Sequence, residues 1–212
     1  MKVNTENFFR ISQNDIEITN DRKETLNDIA KAVLDEYLRN ERVNLNFICS
    51  HNSRRSQFAQ IWGNYAINFF SIPNMECFSG GTVVTALHRN TVKTLKEVGF
   101  RFDVKTFNHQ NPEYLISYQD CKKPILAYSK LIEDQNNKSP YIAITTCNSI
   151  EKNCPLFTDC LAYFQLPYTD PKNYDYTALK NEKYNELNMN IASEMAFLFG
   201  YIASKIKSYQ LL

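Results

Sequence analysis

Apolar side chains return at helical spacing between residues 20 and 40, at Leu26, Ile29, Ala30, Val33, Tyr37 and Leu38, which predicts an amphipathic helix. Asp21 and Glu24 read as a capping box at its start, with Asp as the cap. The period then changes. Residues 43–48, VNLNFI, alternate, turn apolar and predict a strand. Phe58, Ile61, Trp62, Tyr65, Ala66, Phe69 and Phe70 line one face of a second helix. Residues 75–79, MECFS, read as a short strand stopped by Gly80 and Gly81, and residues 89–98 as a helix ended by Gly99. EYLISYQDCKKPILAYSK, residues 113–130, reads as a β-hairpin turning near Cys121 to Lys123. YIAITT, residues 141–146, is an apolar strand ending at Cys147, and LAYFQLPY, residues 161–168, is another, ending before Asp170-Pro171. A last helix spans residues 179–207, with Leu187, Ile191, Met195, Leu198, Ile202 and Ile206 on its apolar face.

Strands alternating with helices imply parallel strands joined by right-handed crossovers. In such sheets ligands bind beyond the carboxyl ends of the strands. Three chemically suggestive residues fall there: Cys49, Cys147 and Asp170.

Composition narrows the partners. The chain of 212 residues suits one compact domain, or one with a substantial extension. A net charge of +1 gives no bulk electrostatic case for nucleic acid or an anionic membrane. The N-terminal stretch lacks an apolar core of signal-peptide length, and MAFLFGYIA near the C-terminus is too short to span a bilayer. The expectation is a soluble cytoplasmic protein. Six scattered cysteines in a chain this long do not read as a secreted disulfide scaffold. They are core residues, metal ligands or chemistry. Their spacings, with three scattered histidines, do not supply the paired ligands that zinc wants, and no cofactor is expected.

The sharpest segment is FICSHNSRRSQFAQIW, residues 47–62. A strand that ends in a tight loop opening a helix points backbone N–H groups into one concavity, and the helix N-terminus adds partial positive charge. A cysteine at its base, Cys49, is favoured as thiolate and becomes a nucleophile. Arg55, at the helix start, has the planar guanidinium that grips two oxygens of a tetrahedral oxyanion. Ser56 is placed to donate a hydrogen bond to the sulfur. Asn52 suits an unusual backbone position inside the loop. Arg54 is expected to point outward. The bland alternative is a buried structural cysteine beside surface arginines.

CSHNSRRSQFA resembles the phosphate-binding loop of low-molecular-weight protein tyrosine phosphatases and of the thioredoxin-coupled arsenate reductases that share their fold, with His51 where the common pattern has Gly and Arg54 where it often has Cys. The RSQ.A continuation leans toward the reductases. FSGGT resembles the SAGT that follows the second strand of that family. TALHRNTVKTLKEVGF resembles its next helix, with His88-Arg89 where Asn-Pro commonly sits. The resemblance covers the chain from about Val43 onward, apart from an insertion at residues 107–139 that holds the hairpin. It implies a three-layer α/β/α fold with a four-stranded parallel sheet. Residues 1–41 are expected to form a helical extension and residues 42–212 the catalytic domain.

TTCNSIEKNCP places Cys147 at a strand end and Cys154 in a polar loop. Two such thiols beside a reactive thiolate point to a disulfide relay, and the resemblance agrees, since the thioredoxin-coupled reductases carry Thr-Cys-x6-Cys-Pro here. The alternatives are two ordinary cysteines, or half a zinc site with Cys160. Cys77, Cys121 and Cys160 are taken as structural. The resemblance also implies that Asp170, before Pro171, is a general acid and base. An Asp-Pro is otherwise a common turn. Tyr168 and Tyr174 flank it, to wall an aromatic substrate or simply to pack. The expected oxyanion loop is therefore Cys49, Ser50, His51, Asn52, Ser53, Arg54 and Arg55. The expected chemistry is arsenate reduction with thioredoxin as donor, or phosphomonoester hydrolysis through a phosphocysteine.

Overall fold

In the computed structural model, which describes residues 4–147 and 159–210, helices α1 (Thr5–Asp15) and α2 (Asn20–Asn40) lead into strand β1 (Val43–Cys49), α3 (Arg55–Phe69), β2 (Met75–Gly81) and α4 (Arg89–Glu97). Strands β3 (Arg101–Thr106), β4 (Glu113–Ser117) and β5 (Ile125–Ala127) follow, then β6 (Tyr141–Thr145), β7 (Cys160–Gln165) and the long helix α5 (Lys180–Gln210).

Four strands make a parallel sheet in the order β2-β1-β6-β7, flanked by helices. Strand β1 is buried at every position because it is central. Its side chains alternate between two faces. Leu45 and Phe47, with Ile142 and Ile144, enter the main core under α3 and α5, where Trp62, Phe58, Met195 and Phe199 are fully buried. Ile48, with Tyr141 and Ala143, faces the other way and packs on Ile132 of the segment after β5. All four strands run the same way, so Cys49, Gly81 and the end of β6 share one edge.

The expected four-stranded parallel sheet is therefore present. The hairpin is present as the antiparallel pair β4 and β5, but β3 adds a third strand that the sequence pattern did not show. Its residues are almost all exposed, so no apolar alternation marks it. Helix α1 was also missed. It buries only Thr5, Phe9 and Ser12, too few apolar positions for a stripe. Phe9 nevertheless stacks on Trp62 at 5.7 Å and meets Tyr65, Phe69 and Phe70 edge-on.

Local details differ from expectation. Helix α2 starts at Asn20 with Thr19 as N-cap and no side-chain cap bond, so Asp21 and Glu24 do not form a capping box. Leu38 is 49% exposed and lies off the packed face. Strand β2 does not stop at the glycines but runs through them, pairing Gly80 with Ile48 and Gly81 with Cys49. Among the described residues, no helix is long and apolar enough to cross a membrane.

Candidate active site

Cys49 ends β1 and is 4% exposed. Residues 50–54 then curl into α3. What fixes this loop is the way its carbonyls are taken up from outside. Ser50 O accepts from the N–H groups of Thr82 and Val83 at 3.0 and 2.9 Å. His51 O accepts from the hydroxyls of Thr85 and Ser129 at 3.0 and 2.8 Å. Asn52 O accepts from Gln57 Nε2 at 3.0 Å, and Ser53 O from the N–H of His88 at 3.1 Å. A loop that turns its carbonyls outward leaves its N–H groups for the concavity, which is how backbone nests hold anions.

Asn52 is the keystone. It is fully buried with φ 45°, in the left-handed region where Asn is among the few tolerated residues. The backbone N–H of Lys130 donates to Asn52 Oδ1 at 3.0 Å. That fixes the amide orientation, so Nδ2 donates to Ser56 Oγ at 2.8 Å. With a lone pair so engaged, the Ser56 hydroxyl is free to donate to Cys49 Sγ, 3.1 Å away. Gly81 lets the loop sit this close to β2, because a Cβ there would lie 2.9 Å from Asn52 N and Ser50 O.

The two arginines behave differently. Arg55 donates from Nη2 to Asp170 Oδ2 at 2.6 Å and from Nη1 to Tyr168 O at 3.2 Å. Asp170 Oδ1 in turn accepts from the N–H of Lys172 at 3.0 Å, capping the 3-10 turn Pro171–Tyr174. Sequence reasoning sent Arg54 outward, and the structure corrects this. Its side chain is 12% exposed, with Nη2 2.6 Å from Asp175 Oδ2 and Nε 2.6 Å from Tyr184 Oη. Asp175 Oδ1 also accepts from Tyr184 and from Asn90 Nδ2 at 2.8 and 3.2 Å. Burial alone would raise the Asp175 carboxyl, but Tyr184, Arg54 and His88 outweigh it and hold it below its ordinary value. This cluster ties the start of α3 to the turn Pro171–Tyr174, α4 and α5.

Cys147 is 2% exposed just beyond β6, and Thr146 joins that strand end to β1 through two bonds to Ile48 O at 2.7 and 3.0 Å. The Cys147 Sγ lies 3.9 Å from Ser50 Oγ, against the loop that follows Cys49. Cys154 lies outside the described residues. Cys160 starts β7 opposite Tyr141, at the far end of the sheet from Cys147. Cys77 packs against Gly63, and burial followed by Glu76 pushes its thiol well above the ordinary value, which suits an inert core residue. Cys121 donates to Lys123 O at 3.3 Å in the hairpin turn. Tyr168 donates to Glu194 and packs under Arg22. Among the described residues no group of three or more potential ligands could hold a metal.

Sequence reasoning missed Gln57, Gly81, Asp175, Tyr184 and Lys130 as builders of the site. Gln57 and Gly81 stood inside the motifs CSHNSRRSQFA and FSGGT. Asp175 and Tyr184 carried no local signal.

A cysteine-and-arginine loop after the first of four parallel strands in the order β2-β1-β6-β7 is the arrangement of the low-molecular-weight protein tyrosine phosphatase fold. The fold is shared with a low-molecular-weight protein tyrosine phosphatase from T. tengcongensis at a TM-score of 0.51, with 16% identity over 75% of this chain and 99% of the other. In sequence the chain is similar to arsenate reductases. It is 25% identical to arsenate reductase 2 of Staphylococcus epidermidis over 125 residues, 59% of this chain and 76% of that one. It is 27% identical to arsenate reductase 2 of Staphylococcus haemolyticus over the same shares. No family model matches the chain.

Proposed function

We propose that the protein is an arsenate reductase in which Cys49 is the nucleophile and Cys147 and Cys154 form the relay that thioredoxin reduces. The observation that carries this reading is Cys147, a buried second thiol 3.9 Å from the oxyanion loop at Ser50. Hydrolysis completed by water has no use for it.

Arsenate enters the loop, and Arg55 exchanges Asp170 for its oxygens. The Cys49 thiolate forms a bond to arsenic as one arsenic-bound hydroxyl leaves as water, taking a proton that the Asp170 carboxylate picks up from solvent once the anion has separated it from Arg55. Cys147, as thiolate, then attacks the Cys49 sulfur. The electron pair of the sulfur–arsenic bond passes to arsenic, giving arsenite and a Cys49–Cys147 disulfide. Cys154 attacks Cys147 and frees Cys49, and the dithiol of thioredoxin reduces the Cys147–Cys154 product. The two electrons gained by arsenic thus come from thioredoxin. Such a relay needs a reducing compartment, and the cytoplasm is the proposed location.

The second reading is phosphomonoester hydrolysis through a phosphocysteine, with Asp170 protonating the leaving group and then activating water. It is favoured by exposed apolar side chains beside the loop, Val83 and Val84, 50% and 47% exposed, which fit an aryl ester. Steady reduction of arsenate with thioredoxin, thioredoxin reductase and NADPH is the deciding assay. Aryl phosphate hydrolysis with no arsenate turnover would leave the second reading standing.

A further inference from the structure

We propose that Arg22, in the first turn of α2, is a positioning residue for the oxyanion site, acting through Glu194 and Tyr168 on Arg55 and Asp170. This rests on reading Cys49, Arg55 and Asp170 as the working groups. It brings into the site a helix that lies outside the segment resembling the phosphatases and reductases.

The chain of contacts is continuous. Arg22 donates from Nε to Glu194 Oε1 at 2.7 Å and from Nη2 to Glu194 Oε2 at 3.0 Å, a two-pronged bond between α2 and α5. The same guanidinium lies over the Tyr168 ring, 4.6 Å from its centroid. Tyr168 closes the triangle by donating its hydroxyl to Glu194 Oε2 at 2.6 Å. Burial and the Glu194 charge push the Tyr168 phenol well above its ordinary value, so it keeps that proton. The ring is thereby held from above by Arg22 and at its tip by Glu194.

The backbone of the same residue does the positioning. The Tyr168 carbonyl accepts from Arg55 Nη1 at 3.2 Å, and its N–H donates to Thr146 O at 3.2 Å, next to Cys147. Asp170 follows two residues later. A fixed Tyr168 carbonyl anchors one edge of the Arg55 guanidinium while Nη2 changes between Asp170 and an oxyanion. Without Arg22 the Glu194 carboxylate, 9% exposed, loses its counter-charge. The Tyr168 ring then loses the guanidinium above it and is left bonded to a carboxylate that nothing holds in place, and Arg55 must be ordered by the anion itself.

Alkylation of Cys49 by iodoacetamide at graded inorganic phosphate reads this without turnover. Phosphate should protect the wild-type protein. In Arg22→Ala the half-protecting phosphate concentration should rise at least fivefold, and Arg22→Lys, which keeps the charge without the fork, should recover part of the shift. Phe9→Leu, which loosens α1 away from Arg55, should lower the melting temperature and leave half-protection at the wild-type value. If Arg22→Ala does not fold, Tyr168→Phe together with Arg22→Lys carries the test, each raising half-protection in the same direction. Wild-type half-protection in folded Arg22 and Tyr168 variants, or an equal shift in Phe9→Leu, overturns the positioning role alone. A wild-type protein that phosphate does not protect overturns the oxyanion site, and the proposal with it.

Discussion

Arg55 and Asp170 hold each other, Nη2 to Oδ2 at 2.6 Å, with side chains 13% and 29% exposed. The proposed clamp and the proposed acid are therefore one pair that an incoming oxyanion has to separate. Asp170→Asn removes the charge but keeps an acceptor for Arg55. Replacing a charge-assisted bond with a neutral one releases on the order of 1 kcal/mol. Phosphate should then bind about fivefold tighter, measured by protection of Cys49 from alkylation. Turnover should fall about 10²- to 10⁴-fold for loss of general acid catalysis. Unchanged phosphate affinity would mean that the pair does not compete with the anion.

Arg54 stands next to Arg55 but has a different job. Its guanidinium neutralises Asp175, which is 11% exposed on its side chain. Removing one partner of a buried pair leaves an uncompensated charge. Arg54→Ala should therefore cost on the order of 3 kcal/mol in chemical denaturation. A surface arginine would show almost no change, and that result would return Arg54 to the outward position expected from sequence.

These two arginines also show where the sequence was legible. The parallel sheet could be read because β1 alternates and then turns apolar, β6 is an apolar run, and the later helices carry full stripes. The loop could be read because Cys49, Arg55 and Ser56 lie within eight consecutive residues, 49–56. The Arg54 cluster could not, because Asp175 and Tyr184 reach it from 121 and 130 residues away. The same distance problem hid Arg22, whose partner Glu194 is 172 residues off. Strand β3 and helix α1 stayed hidden for a different reason. One is nearly all exposed and the other buries mainly Phe9, so neither has a period to detect.

His88 makes the cluster sensitive to pH. Burial, and then the Arg54 charge, lower its pKa from the ordinary value. A depressed histidine is neutral in the folded protein while the unfolded chain already binds a proton below about pH 6.5. Stability from this group is thus full above that pH and is lost as pH falls toward the folded pKa. His88 Nδ1 also caps α4 by accepting from the N–H of Asn90 at 3.3 Å. Asparagine keeps such a cap and cannot titrate. Denaturation midpoints of His88→Asn should therefore vary less between neutral pH and about pH 5 than those of the wild type. An identical pH profile would remove His88 from the account.

The relay decides between reduction and hydrolysis, because arsenic requires two electrons from thiols and an ester requires none. Cys147→Ser and Cys154→Ser should each stop thioredoxin-coupled arsenate turnover while sparing most aryl phosphate hydrolysis. Cys49→Ser should abolish both. The two relay variants should fail differently. Without Cys147 the adduct on Cys49 has no internal attacker, so no arsenite is released. Without Cys154 one turnover still releases arsenite and leaves a Cys49–Cys147 disulfide, since the Cys147 sulfur already sits against the loop at Ser50, 3.9 Å from its hydroxyl. Cys160 cannot substitute for Cys154 in this step, because its register opposite Tyr141 puts it at the other end of β6. Peptide mapping after a single exposure to arsenate reads each bond directly. A wild-type protein that forms no Cys147–Cys154 disulfide, with both variants behaving as wild type, would dismiss the reductase and keep the phosphatase.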